Sequence, residues 1–362
     1  MNILILTNND SGLYKFRLEL VKKLCEDHTV YISLPQGKYV SELEKAGCLY
    51  CETEFNRRGT NPFEDIRLYR KYRMLLQKIT PDLVLTYTIK PNVYGGFACS
   101  KEKIPYLANV TGLGTAIENG GFMRILSTTM YRIGLRKASC IFFQNSQNER
   151  LFEKLGVKGK KHILLPGSGV NLSVHSFEEY PPDGDKIHFL FIGRIMKDKG
   201  IQELVDATRT VKQKGHNIIT DIVGWFDEDY HDTIEEAEKE EIVHFYGEQT
   251  NVHEFIKKSH CVVLPSYHEG MSNVLLEAAA TGRPIIASRI PGCMETFEEG
   301  VTGIGCERKN ADSLADAMLK FLMLPMEERA RMGLRGREKM EREFDRNLIT
   351  DVYIKEIEKA IK

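Results

Sequence analysis

Short apolar runs alternate along the chain with stretches in which apolar residues recur every three or four positions. The run NILILT (2–7) reaches Asp10-Ser11-Gly12, after which Leu13, Phe16, Leu20 and Leu24 fall at helical spacing. TVYISL comes next and then a helical stretch over 62–79. The runs DLVLTY (82–87), PYLANV (105–110) and CIFFQN (140–145) follow, separated by helical or glycine-containing connections. Strand, helix and strand in repeated succession predict an α/β fold, a parallel sheet with helices on both faces.

The same grammar restarts in the second half. KIHFLFIG (186–193) leads into a helix at about 200–214, and NIITDIVG, IVHFYG, CVVLPS and PIIAS read as further strands interleaved with helices. This is a second Rossmann-like domain. Between the two, the segment SVHSFEEYPPDGDK is polar, carries Pro181-Pro182 and Gly184, and has no periodicity, as a linker should. The expected organisation is a first domain over 1–172, a linker over 173–185 and a second domain over 186–345. Amphipathic helices at about 311–323, 326–343 and 346–361 close the chain, the last of them (346–362) free to return to the first domain.

Composition narrows the class. A length of 362 residues suits two domains of ~150 residues each, and 42% hydrophobic with 28% charged residues argues against a disordered or fibrous chain. No window approaches the ~20 consecutive apolar residues of a membrane span, and MNILILTNND lacks a secretory leader, so a soluble, cytoplasmic chain is expected. Eight cysteines include one close pair, Cys48 and Cys51, without the second pair a zinc ribbon needs, so reduced structural thiols are expected. The net charge of −1 hides an asymmetry: residues 1–180 hold 25 Lys and Arg against 17 Asp and Glu, and residues 181–362 hold 25 against 34. A basic half invites an anionic surface.

In open parallel sheets, ligands bind beyond the carboxyl ends of the strands, so the loops there carry the chemistry. In Gly193-Arg194-Ile195-Met196-Lys197-Asp198-Lys199-Gly200, two glycines bracket a strand-to-helix turn, and Arg194 and Lys199 can reach a common anion such as a diphosphate. The alternative is a tight turn with solvated charges. In His268-Glu269-Gly270-Met271-Ser272-Asn273, Gly270 permits close approach, and the amides of 271–273 can face a phosphate at the start of NVLLEAAATG. Glu269 and Glu277 lie about two helical turns apart and can face one crevice. Repelled by a diphosphate, they suit sugar and ribose hydroxyls better; the alternative is one helix-start and one surface glutamate.

Together these segments resemble the retaining family 4 glycosyltransferases of the GT-B fold, in which two Rossmann-like domains face a central crevice. The resemblance rests on the Gly-Arg…Lys-Gly segment at 193–200, the Glu-x7-Glu element from Glu269 to Glu277, and Ala-Thr-Gly-Arg-Pro-Ile-Ile-Ala-Ser at 280–288; the layout and the first strand with Gly12 extend it over the chain. It implies transfer of a sugar from a nucleotide diphosphate, with the donor mainly on the second domain and the acceptor on the first. By the same resemblance Gly12, Gly193, Arg194 and Lys199 serve the donor, the two cations neutralising its diphosphate. Glu277 holds the ribose, and Glu269 with the 270–273 amides holds the sugar and distal phosphate.

Two loops of the first half resemble the subgroup that builds bacterial lipid-linked or capsular oligosaccharides: Lys90-Pro91-Asn92-Val93-Tyr94-Gly95-Gly96 and Asn109-Val110-Thr111-Gly112-Leu113-Gly114. Lys90, Asn92, Tyr94, Thr111 and Gly112 are the acceptor-binding candidates. Many relatives carry His-Gly where this chain has Thr111-Gly112, and a hydroxyl is no general base at neutral pH without help. The loss is tolerable if the leaving diphosphate takes the proton from the attacking hydroxyl on the same face of the sugar. Arg194, Lys199 and Glu269 are then the catalytic candidates.

The expectation is a metal-independent, cofactor-free, retaining hexosyl- or N-acetylhexosaminyltransferase using a UDP-sugar and a glycan acceptor on a polyprenyl diphosphate, in bacterial surface polysaccharide synthesis. Its rivals are a sugar-nucleotide 2-epimerase of the same fold and a catalytically silent nucleotide-sugar-binding subunit of a polysaccharide assembly complex. Arg57, Arg58, Arg67, Arg70, Lys71, Arg73 and Lys78, and then Arg124, Arg132, Arg136 and Lys137, lie among aromatic and aliphatic residues. Those helices could rest on the anionic inner leaflet at the cytoplasmic face or be solvated faces. Nucleic-acid binding is disfavoured because no recognition module accompanies the charge. Asp227-Glu228-Asp229 resembles an Asp-x-Asp metal motif, but as a loop after a strand it reads better as polar surface, and the ten histidines show no ligand spacing.

Overall fold

A computed structural model describes residues 1–56, 61–111 and 121–361. The chain divides into two units, Met1–Ser168 with Asn347–Lys362, and Gly169–Arg346. The polar segment 173–185 thus belongs to the second unit and the closing helix to the first.

The first unit is built on a seven-stranded parallel sheet in the order β3-β2-β1-β4-β5-β6-β7. Its strands are β1 (Asn2–Leu6), β2 (Thr29–Leu34), β3 (Leu49–Glu52), β4 (Leu83–Tyr87), β5 (Tyr106–Val110), β6 (Cys140–Phe143) and β7 (His162–Leu164). Successive residues of the central strands enter opposite faces of the sheet. Leu4, Leu6, Val84, Ala108, Ile141 and Phe143 enter one core with Leu68, Tyr72 and Tyr131, while Ile3, Ile5, Leu83, Leu85, Leu107 and Phe142 enter another with Leu13, Leu20 and Tyr353. A strand covered on both faces needs apolar residues at every position, so these runs are continuous rather than alternating. Helix Arg346–Ile361 lies on the second face, where Ile349, Tyr353 and Ile357 are buried and Glu356 pairs with Lys161 at 2.8 Å.

Helix boundaries follow side-chain caps. The Asn9 carboxamide oxygen accepts from the Gly12 amide at 2.7 Å to open helix Asp10–Asp27. Asn61 caps helix Pro62–Ile79, whose proline sits where no amide partner is needed.

The second unit holds a six-stranded parallel sheet, β10-β9-β8-β11-β12-β13. Its strands are β8 (Ile187–Ile192), β9 (Ile218–Val223), β10 (Val243–Phe245), β11 (Cys261–Leu264), β12 (Ile285–Ser288) and β13 (Gly303–Cys306). Both sheets place their first strand beside their fourth, the doubly wound order whose reversal opens a ligand crevice at the strand ends. Arg283, fully buried, locks the second unit: its guanidinium donates to the carbonyls of Glu178, Glu179, Ile256, Lys257, Thr281 and Gly282 at 2.8–3.3 Å. Burial lowers its pKa to about 10. All eight cysteines are free thiols. Among the described residues no helix is long and apolar enough to cross a membrane.

Candidate active site

The loops at the carboxyl ends of β8, β9 and β11 are tied to one another. The Gly193 amide donates to the Val223 carbonyl at 3.0 Å, the Ile195 amide to the Trp225 carbonyl at 2.8 Å, and the Tyr267 amide to the Asp198 carbonyl at 2.8 Å. Gly200 takes φ +72°, and a Cβ there would lie 2.3 Å from the Pro265 carbonyl oxygen; only glycine lets the turn that carries Lys199 press against the end of β11.

That closeness brings Lys199 onto Glu269. The Lys199 ammonium contacts Glu269 Oε1, which also accepts from Ser266 Oγ at 2.8 Å, with the two charged side chains 18% and 12% exposed. Gly292, at φ +86°, packs against the Glu269 backbone, where a Cβ would lie 2.6 Å from its carbonyl oxygen. Arg194, more open, pairs with Asp227 at 2.9 Å. The other two acidic residues of that loop have separate partners: Glu228 accepts from the Lys197 amide at 2.8 Å, and Asp229 meets His231 at 3.1 Å.

Helix Asn273–Ala280 begins at Ser272, whose hydroxyl accepts from the Leu275 amide at 3.4 Å. Met271 is buried in the core, and the Ser272 amide donates to the Gly292 carbonyl at 2.8 Å, which commits it away from any ligand. Glu277 lies one face along the same helix, 3.9 Å from His175 Nε2. Burial, with His253 and Arg346 nearby, lowers the His175 pKa to about 4, so near neutrality this contact is between a carboxylate and a neutral ring rather than an ion pair.

In the first unit, Lys90 and Tyr94 converge on Asp65 of helix Pro62–Ile79, each at 2.7 Å. The Lys90 charge is therefore compensated within the fold, and burial with the Asp65 carboxylate pushes the Tyr94 phenol well up. Asn92 is 1% exposed and fully engaged: its oxygen accepts from Thr86 Oγ1 at 2.6 Å and its amide donates to the Asn109 carbonyl at 2.8 Å. Its role here is to hold a single π-turn, Pro91–Gly95, against β4 and β5. Thr111 directly follows β5 and is half-buried; Gly112, Arg57 and Arg58 lie outside the described residues. Gly12 sits in the first turn of helix Asp10–Asp27, where a Cβ would lie 2.7 Å from the capping Asn9 oxygen. Asp65, Ser266, Gly292 and His175 carry no motif, and only their contacts reveal them, long-range for all but Ser266, which lies three residues before Glu269.

Two family models match the chain in tandem: the one described as "Glycosyl transferase 4-like" over residues 2–145, and "Glycosyl transferases group 1" over 175–339. The chain belongs to the family 4 glycosyltransferases of the GT-B fold.

This glycosyltransferase is 28% identical, over the whole of both chains, to the N,N'-diacetylbacillosaminyl-diphospho-undecaprenol alpha-1,3-N-acetylgalactosaminyltransferase of Campylobacter jejuni. It is 25% identical to the capsular polysaccharide biosynthesis glycosyltransferase CapM of Staphylococcus aureus, covering 96% of this chain and 93% of that one. Among solved structures it resembles Anabaena HepE in complex with UDP and glucose (TM-score 0.82, 18% identity, 99% and 100% of the two chains). A second likeness is the sucrose-phosphate synthase of Thermosynechococcus elongatus (TM-score 0.82, 18% identity, 99% and 98%). These two establish the fold of the glycosyltransferase.

Proposed function

We propose that the chain is a retaining, metal-independent hexosyl- or N-acetylhexosaminyltransferase. It takes its sugar from a UDP-sugar and extends a glycan carried on a polyprenyl diphosphate in bacterial surface polysaccharide synthesis. The observation that carries this reading is the contact of Lys199 with Glu269, 70 residues apart in sequence, with Arg194 on the same loop as Lys199 at the strand ends of the second unit. The full-length likeness to an undecaprenol-linked glycosyltransferase and the fold shared with a UDP-bound protein support the substrate classes.

In this reading the donor diphosphate lies against Arg194 and Lys199, drawing each from its carboxylate, and the dipole of helix Asn273–Ala280 adds positive potential. Released from Lys199, Glu269 accepts a hydrogen bond from a sugar hydroxyl, while Glu277 holds the ribose. As the bond between the anomeric carbon and the diphosphate oxygen breaks, the acceptor oxygen bonds to the same face. Its proton passes to the departing diphosphate oxygen, so Thr111 need not act as a base. Asp227, Glu228 and Asp229 point to three different partners, which favours charge neutralisation by side chains over an Asp-x-Asp cation site.

The helices Pro62–Ile79 and Gly121–Leu135 fit attachment to an anionic membrane surface. Phe63 (82% exposed), Met74 (68%), Ile125 (66%) and Ile133 (58%) stand out among their basic residues, which supplies apolar insertion with charge complementarity.

The test is a panel of nucleotide sugars offered with a polyprenyl-diphosphate glycan, products assigned by NMR. Retained anomeric configuration and activity after EDTA treatment are expected. An inverted product would refute the same-face route, activity restored only by Mg²⁺ or Mn²⁺ would reopen Asp227 and Asp229 as ligands, and donor turnover without acceptor would favour an epimerase.

A further inference from the structure

The first unit contains a buried cation that the reading above does not use. Arg17, on helix Asp10–Asp27, is 6% exposed, and its guanidinium lies 5.7 Å from the ring centres of both Tyr87 and Tyr353. Nη1 donates to the Phe16 carbonyl at 2.9 Å, Nε is enclosed without an acceptor, and no carboxylate among the described residues pairs with the group. Burial pushes both phenols up, so neither tyrosine supplies a counter-charge. Two ring faces offset part of the desolvation of the guanidinium, but they cannot replace hydrogen-bond acceptors.

The position suits a ligand. Helical side chains lean toward the helix N-terminus, which here follows the carboxyl end of β1, so Arg17 reaches toward the rim of the sheet. Tyr87 is the last residue of β4, and its enclosed phenolic oxygen faces the Arg17 guanidinium and the Tyr353 hydroxyl. Thr88, next in sequence, holds φ +71°, rare for a β-branched residue, and its hydroxyl is buried without a partner. The Tyr353 hydroxyl contacts Asn109, two residues before Thr111. A buried guanidinium without a carboxylate and, next in sequence to one of its tyrosines, an unpartnered Thr88 hydroxyl thus lie at the strand ends, where open parallel sheets bind ligands.

We propose that Arg17, with Tyr87, Thr88 and Tyr353, forms the subsite that holds the diphosphate of the lipid-linked acceptor. This rests on the acceptor class proposed above. A phosphoryl oxygen supplies the acceptor that Nε lacks, and the guanidinium fork suits it better than a point charge. The Tyr353 contact with Asn109 couples the closing helix to the end of β5.

The test is calorimetric binding of farnesyl diphosphate, inorganic pyrophosphate and farnesol to the intact protein, with the donor site filled by saturating UDP. Farnesyl diphosphate and pyrophosphate should bind and farnesol should not. Arg17→Gln should weaken both diphosphates by roughly ten- to a hundred-fold, the loss of a charge-assisted contact, while UDP affinity stays unchanged. Arg17→Lys keeps the buried charge if Gln impairs folding, and should weaken them at least several-fold; Tyr353→Phe should weaken them less. Failure of either diphosphate to bind wild-type protein, or unchanged affinity in a folded Arg17 variant, overturns the subsite. UDP failing to bind at all would instead strike the donor reading, which makes the two failures distinguishable.

Discussion

Glu269→Gln separates the two tasks assigned to Glu269. Its Oε1 receives both Lys199 and Ser266, at side-chain exposures of 12% and 18% for Glu269 and Lys199. Fully exposed pairs contribute ~0–1 kcal/mol, and removing a partner from a fully buried one costs ~3–5 kcal/mol, so ~1–2 kcal/mol is reasonable at this depth. An incoming diphosphate must displace that attraction before it gains Lys199. Glutamine keeps the shape and the Ser266 contact while dropping the charge, so UDP should bind ~5- to 30-fold more tightly. Transfer should move the opposite way. A neutral amide is a poorer acceptor for the sugar hydroxyl, and loss of a charge-assisted hydrogen bond at ~1.5–3 kcal/mol lowers kcat/KM by ~10- to 100-fold. Calorimetric titration with UDP and initial rates of sugar transfer on the same preparation give both numbers. If UDP affinity instead falls tenfold or more, Glu269 aligns Lys199 for the diphosphate rather than competing with it, and the displacement argument fails.

Other consequences are open to direct measurement. Arg283→Met removes the donor to six backbone carbonyls, of which Ile256 keeps Ser259 and Thr281 keeps the Glu178 amide, and should destabilise the second unit by ~3–5 kcal/mol; a loss below ~1 kcal/mol in denaturant unfolding would show that water or neighbouring groups satisfy the cage. His175 is held neutral, with its pKa depressed from 6.5 to about 4, so in that window the unfolded chain binds a proton that the folded chain refuses. Stability should therefore decline as pH falls from about 6.5 towards 4, and His175→Gln should flatten the decline in pH-dependent melting; an unaltered slope would assign it elsewhere. Binding through the basic helices should be screened as the Debye length shrinks from ~10 Å at 0.1 M salt to ~3 Å at 1 M, and flotation with anionic liposomes should show it; no association even at low salt would make these helices solvated faces. Trp225 is the sole tryptophan, 47% exposed on the loop that carries Asp227, so its fluorescence should change on UDP binding, and a silent titration with calorimetrically confirmed binding would move the nucleotide away from this loop.

The two-sheet architecture was legible because central parallel strands are apolar on both faces and leave uninterrupted runs in the sequence. Three strands went unread, and all three lie at sheet edges: β3 (LYCE), β7 (HIL) and β13 (GIGC). An edge strand has one neighbour rather than two and need bury little, so β3 and β7 carry half-exposed residues and no apolar run. In β13 burial is complete but two of the four residues are glycine; at Gly303 a Cβ would lie 2.7 Å from the Ile285 carbonyl oxygen, so close packing itself erased the strand signature.

The candidate site divides along a similar line, between what residue type conveys and what only proximity conveys. Spacing singles out Arg194, Lys199, Glu269 and Glu277 as candidates for a nucleotide sugar, but it does not reveal that each cation has a carboxylate partner. Lys90 and Tyr94 looked available for an acceptor, whereas Asp65, 25 residues before Lys90, engages both. Asn92 looked like a ligand contact and proves to be a buried clasp between β4 and β5. Arg17 presents the reverse case: in sequence it is one more basic residue on an amphipathic helix, and only burial without a carboxylate sets it apart. A charge already matched inside the fold must exchange partners to bind a ligand, which trades affinity for selectivity. A buried charge without a carboxylate has only neutral partners to give up, so Arg17 has more to gain from an anionic ligand than Lys90, which must first leave Asp65.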